Sequence, residues 1–221
     1  MGALGRNQFD PADIATALLL TVWGWEGWLS LWMGIVVTTR TALLIARERE
    51  SQNWPLLRVT PFDSADILKA KAGAALYWVR WPIIQLLFLR AACVAIAVAN
   101  SPDITPTQTA LAAAFALLFC AELFVSAVYN CSVGLTASAF AKTSAVANAA
   151  AYSLHIALFL FIFLPIWNRF AGPIFEAFFY SDHLSTLTRS IAVFSLLIAA
   201  QLALAGAMFF IAAIQLRRIV E

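Results

Sequence analysis

Glu26, Arg80, Arg90 and Glu122 are ionisable side chains that stand inside otherwise apolar runs of this chain. A charge held at the centre of a bilayer costs about 2.5–3.5 kcal/mol on insertion scales, so such residues pair, face a cavity or mark a solute path. Glu26 falls near the middle of the first apolar run and Glu122 near the middle of the third. Arg90 is expected to pair with Glu122 or with Glu26, whichever lies at its depth. The pair would either fix helix packing or serve a pathway. Arg80 has the length to snorkel its guanidinium to an interface.

Aromatic residues supply a second pattern. Trp25, Trp28 and Trp32 recur at i, i+3 and i+7, which is one face of a helix. Tyr152, His155, Phe159 and Phe163 share another such face. These faces suit lipid contact, interior packing or the wall of a cavity. Hydrolytic chemistry has no support. The chain has no Gly-x-x-x-x-Gly-Lys-Ser/Thr phosphate loop, no His-Glu-x-x-His and no Gly-x-Ser-x-Gly. Ser181, Asp182 and His183 are consecutive, whereas triad members converge from separate elements. No catalytic residue, metal ligand set or bound cofactor is read from the chain. Cys93, Cys120 and Cys131 lie in apolar runs and read as small packing residues.

These side chains need elements to hold them. The chain is 62% hydrophobic and 12% charged, with a mean hydropathy of +0.84, far from a soluble domain. A bilayer core takes about 20 apolar residues per helix. Five spans follow, at about 14–45, 72–99, 107–140, 144–167 and 187–216. The fold class is therefore all-α: one polytopic helical membrane domain, 1–221. Thr105, Pro106 and Gln108 predict a capping box at the start of the third span. Ala199, Ala203 and Ala207 make a small-residue stripe suited to close packing of the last. In the 168–189 loop, Gly172-Pro173 breaks the chain, and residues 174–180 read as a short interfacial helix.

Basic residues set the expected orientation. Arg47, Arg49, Arg58, Lys69, Lys71, Lys142, Arg217 and Arg218 fall on one side of alternating spans, and Arg6, Arg169 and Arg189 on the other. The positive-inside rule puts the first group in the cytoplasm, with the N-terminus and the 168–189 loop outside. The 46–71 connection holds five of the chain's 14 Lys and Arg residues. With Asn53 and Thr60 as caps, it reads as two short helices showing Trp54, Leu56, Leu57 and Phe62 beside charges. Exposed apolar residues rimmed by charge mark a docking surface. No basic stripe exists elsewhere, so nucleic acid is not an expected partner.

The run Ala46 to Lys71 resembles the coupling segment of type-2 ATP-binding-cassette (ABC) transporter permeases. Glu48, Arg49 and Glu50 match the family's Glu-Arg-Glu run. Leu56 and Leu57, then Thr60 and Pro61, then Ile67, Leu68 and Lys71 follow in order and spacing. Gly134, Ser138, Lys142 and Ala147 resemble a second family stretch, where one span ends and the next begins. Gln52-Asn53-Trp54-Pro55 stands where the family has Gly-Thr-x-Glu, and the five spans lack a counterpart to the family's first.

The resemblance implies a permease subunit, an exporter by family habit, in a bacterial or archaeal plasma membrane. A separate ATPase subunit carrying ATP and Mg would dock on 46–71. A second copy, or a related permease, would complete the pathway as a homodimer or heterodimer. The two aromatic faces, Trp25/Trp28/Trp32 and Tyr152/His155/Phe159/Phe163, would then resemble the pathway wall. The alternative is a membrane anchor or regulatory subunit that keeps the docking segment and transports nothing.

Overall fold

The structure is a computed structural model that describes residues 11–51, 64–99, 105–165 and 184–220. Every regular element among them is a helix. They are α1 (Pro11–Glu50), α2 (Ser64–Trp78), α3 (Arg80–Ala99), α4 (Pro106–Phe140), α5 (Ser144–Leu158) and α6 (Leu184–Val220). Four are long and apolar enough to cross a membrane, and five spans result if bent α2–α3 counts as one. At 1.5 Å per residue, α1 is about 60 Å long, twice a bilayer's hydrocarbon core.

The 72–99 run is not one straight helix. α2 and α3 meet at 57° around Val79. Pro82 is the cause. It has no N–H to give the Trp78 carbonyl, and its ring crowds that carbonyl. The ladder tightens locally, with Val79 N–H donating to Leu76 O at 3.2 Å, and resumes when Ile83 N–H donates to Val79 O at 3.0 Å. A second irregularity ends α5. Its ladder widens into a π turn, Phe159–Phe163, where Leu164 N–H reaches Phe159 O. Pro165 follows and cannot donate to continue an α ladder.

α4 is the axis of the bundle and packs on every other helix. Its start is the expected capping box: Gln108 N–H donates to Thr105 Oγ1 at 3.3 Å, and Thr105 N–H donates to Gln108 Oε1 at 2.8 Å. Its lower half, Tyr129 to Ala139, is buried throughout. Lipid tails are as apolar as the side chains, so close packing rather than water exclusion must hold these helices. Gly134 makes the tightest approach. A Cβ there would lie 1.8 Å from Thr41 Oγ1 and 2.5 Å from Thr38 O. One turn on, Ser138 Oγ accepts from Ile45 and Ala46 N–H at 3.1 and 3.0 Å. Ala42, Ala46, Ala137, Ala141, Ala147 and Ala151 extend the seam between α1, α4 and α5.

α6 packs differently from the expectation. Leu197, Gln201, Ala205, Met208, Ala212 and Leu216 are its buried stripe, while Ala199, Ala203 and Ala207 face away from the chain. The buried stripe follows i+3/i+4 spacing and packs closely against α4. Cys93 and Cys131 are buried, Cys120 is half-buried, and none is bridged.

Candidate intramembrane charge site

Arg90 on α3 is 3% exposed, deep in the bundle. Its fork reaches two acids from two helices. Nε donates to Glu26 Oε1 of α1 at 2.8 Å, and Nη2 lies 2.7 Å from the same oxygen. Nη1 donates to Glu122 Oε2 of α4 at 3.0 Å and also to the Phe119 carbonyl. The guanidinium carbon sits 4.1 Å from the Phe119 ring centroid, a cation–π contact. The sequence left Glu26 and Glu122 as alternatives, and the structure brings both to Arg90. Gln201 of α6 adds a fourth helix, its Nε2 donating to Glu122 Oε1 at 3.2 Å. A buried guanidinium with satisfied donors ties the helices together, because removing one partner leaves a charge stranded in low dielectric.

The group opens on a cavity of 340 Å³. Glu26, Arg90, Glu122, Tyr129, His155 and Gln201 are among its walls, with Phe119, Phe159 and Phe194 supplying apolar surface. Phe115, Phe119 and Phe194 stack edge and face with centroids 5.2 to 5.9 Å apart and support one wall. Gln201 Oε1 and His155 Nδ1 are buried without a hydrogen-bond partner. The His155 ring lies 6.3 Å from the Tyr129 ring.

The two aromatic faces separate. His155 and Phe159 line the cavity. Trp25, Trp28 and Trp32 are 64%, 73% and 53% exposed on the outside of α1. Tyr152 is also on the surface, where its hydroxyl bonds Thr39 Oγ1. Phe163 ends the π turn, and its side chain lies outside the description. Arg80 takes no part in the site. It caps the α2–α3 bend, donating to Tyr77 O at 3.1 Å and lying over the rings of Tyr77 and Trp81.

Part of the site was missed in the sequence although its signal was present. Glu26, Ser30 and Gly34 recur at four-residue steps on α1, as do Glu122, Ser126 and Asn130 on α4. All six line the cavity. Such a polar or small stripe in an apolar helix marks its interior face. Gln201 is the matching polar residue midway along α6.

At the far end of α1, the Glu48-Arg49-Glu50 run reaches three other elements. Glu48 forms an ion pair with Lys71 of α2. Arg49 Nη1 donates to Ala141 O at 2.8 Å, at the electronegative C-terminus of α4. Glu50 Oε1 accepts from Ser144 N–H at 2.8 Å, at the electropositive N-terminus of α5. Each charge thus meets the helix end or partner of opposite sign. Trp54, Leu56, Leu57, Thr60 and Pro61 lie outside the described residues, as does the proposed interfacial helix at 174–180. No family model, no curated protein and no solved structure matches this chain.

Proposed function

We propose that this chain is the membrane-spanning permease subunit of an ATP-driven exporter resembling the type-2 ABC kind, worked by a separate ATPase that docks on 46–71. The observation that carries the reading is the anchoring of the docking segment. Glu48, Arg49 and Glu50 lash the end of α1 to α2, α4 and α5. Lys71 ties the segment's other end back to its beginning. A push on residues between Glu50 and Ser64 would therefore reach four helices together. This is the mechanical requirement of a coupling element, and a plain connecting loop does not need it.

In this reading the segment and the C-terminus face the cytoplasm of a bacterial or archaeal cell, and ATP and Mg bind on the partner. A second copy or a relative completes the pathway. The anchor reading draws on a different observation. Arg90, Glu26 and Glu122 lock α1, α3 and α4 at mid-depth, which suits a rigid subunit as well as a moving one.

The test is retention of the ATPase during purification of the native complex. Truncating a buried hot-spot side chain at an interface costs about 2 kcal/mol or more, which weakens binding roughly thirtyfold. Trp54→Ala with Leu57→Ala should shed the ATPase at unchanged permease yield. Full retention in that double variant would reduce the segment to a capped, basic loop. Retention in the unaltered protein without solute movement in vesicles would favour the anchor.

A further inference from the structure

Two carboxylates meet one guanidinium inside the bundle. Glu26 and Glu122 both contact Arg90, and among the described residues no other Lys or Arg side chain lines their cavity. Two carboxyl groups share one guanidinium, so the second negative charge has no protein cation to balance it in a low-dielectric interior. Something must balance it.

The cavity beside the surplus charge is built for a donor. Gln201 is 8% exposed, and its Nε2 is committed to Glu122 Oε1. Exchanging the two ends of that amide would set a carbonyl oxygen against a carboxylate oxygen, so the hydrogen bond fixes the amide's orientation. Oε1 is therefore a buried acceptor without a partner. It belongs to the same amide as the nitrogen on Glu122, so it lies close to the carboxylate. Burying an acceptor without a donor is unfavourable, and Gln201 Oε1 is such an acceptor on the amide that holds Glu122; His155 Nδ1 is a second buried polar atom on the cavity wall whose hydrogen bond is unmade.

The volume and the walls narrow the occupant further. At 340 Å³ the space is at the lower end of small-molecule sites, about 300–1,000 Å³. Phe119, Phe159 and Phe194 offer aromatic surface to an apolar body or a cation. Among the described residues, no three His, Cys, Asp or Glu side chains converge as a metal site would need. A bare metal ion fits poorly. A primary ammonium on a compact apolar body fits the charge, the acceptors and the rings.

We propose that this intramembrane cavity binds a small organic monocation, a primary ammonium with an apolar or aromatic body. Its N–H groups meet the Glu122 carboxylate and Gln201 Oε1, and its body lies among the phenylalanines. The assignment does not rest on the docking reading, and it holds whether or not an ATPase binds at 46–71.

The experiment uses the full chain in lipid nanodiscs, with empty nanodiscs as the partition control. The probes are 2-phenylethylammonium and its neutral counterpart 2-phenylethanol. Binding is read by saturation-transfer NMR and by the shift in melting temperature. The ammonium should bind saturably and raise the melting temperature, and the alcohol should do neither. Glu122→Gln and Gln201→Leu should each weaken ammonium binding at least about tenfold, or 1.4 kcal/mol. If either variant fails to fold, the ammonium-to-alcohol contrast in the unaltered chain decides. Equal binding of the alcohol, absence of saturable ammonium binding, or undiminished binding in both folded variants overturns the proposal. The surplus charge would then be carried by a proton.

Discussion

At the scale of single residues, Arg90 is held from several sides. It touches Glu26, Glu122, the Phe119 ring and the Phe119 carbonyl at once. Arg90→Ala should destabilise by about 3–5 kcal/mol, because it strands two acids in the interior. Neutralising the acids as well should recover part of that loss. The prediction is therefore an order of melting temperatures in nanodiscs: the unaltered chain highest, the triple change Arg90→Ala, Glu26→Gln, Glu122→Gln next, and Arg90→Ala lowest. If the triple variant melts below Arg90→Ala, the charges are not coupled as the contacts require. The single acid changes also separate the partners. Glu26 gives one oxygen to both Nε and Nη2, whereas Glu122 is shared with Gln201. The charges themselves were plain in the sequence, but the choice between Glu26 and Glu122 was not. Depth along separate helices follows from how they pack, and no single helix's sequence states that. His155 had the same difficulty, since its cavity wall is completed by residues of α1, α4 and α6.

At the scale of helices, local chemistry was legible and crossings were not. The Thr105 box needs only four consecutive residues, so it could be read directly. Pro82 was equally visible, yet its effect was overlooked within an apolar run that looked continuous. The bend at Val79 is a local consequence of a missing donor and needs no distant contact. Gly134 is the opposite case. It was noted only within a resemblance, and its physical role appears when α1 is placed beside it. A methyl group there would collide with the Thr38 carbonyl, a backbone atom that cannot step aside. Gly134→Ala should therefore push α1 and α4 apart and destabilise by about 1–3 kcal/mol. Gly73 on α2 has nothing within 4 Å of the equivalent position. Gly73→Ala should be neutral or stabilising by up to about 1 kcal/mol, through helix propensity alone. Melting both variants side by side checks the contrast. Equal effects would mean that the α1–α4 seam tolerates separation.

At the scale of the whole molecule, the described basic helix ends gather at one end of the bundle, as the proposed orientation requires. Lys71 of α2 pairs with Glu48 of α1, and Arg49 of α1 reaches the α4–α5 turn that carries Lys142. Leu216 of α6 packs in one core cluster with Ile45, Ile67 and Leu68, so Arg217 and Arg218 emerge at that end too. Arg47, Arg49, Lys69, Lys71, Lys142, Arg217 and Arg218 therefore occupy one end of the bundle. The capped start of α4, at Thr105, lies about 50 Å away along that helix. In the proposed orientation this basic end faces the cytoplasm, as the positive-inside rule expects. Single cysteines introduced into a chain with Cys93, Cys120 and Cys131 replaced provide the check. Thr107→Cys, at the exposed start of α4, should react with a membrane-impermeant maleimide applied to intact cells. Ser51→Cys and Lys142→Cys, both exposed, should react only after the cells are opened. Labelling of Lys142→Cys with protection of Thr107→Cys, in intact cells, would invert the molecule. The 46–71 segment would then face outside, away from any ATPase, and the transport reading would fall with it.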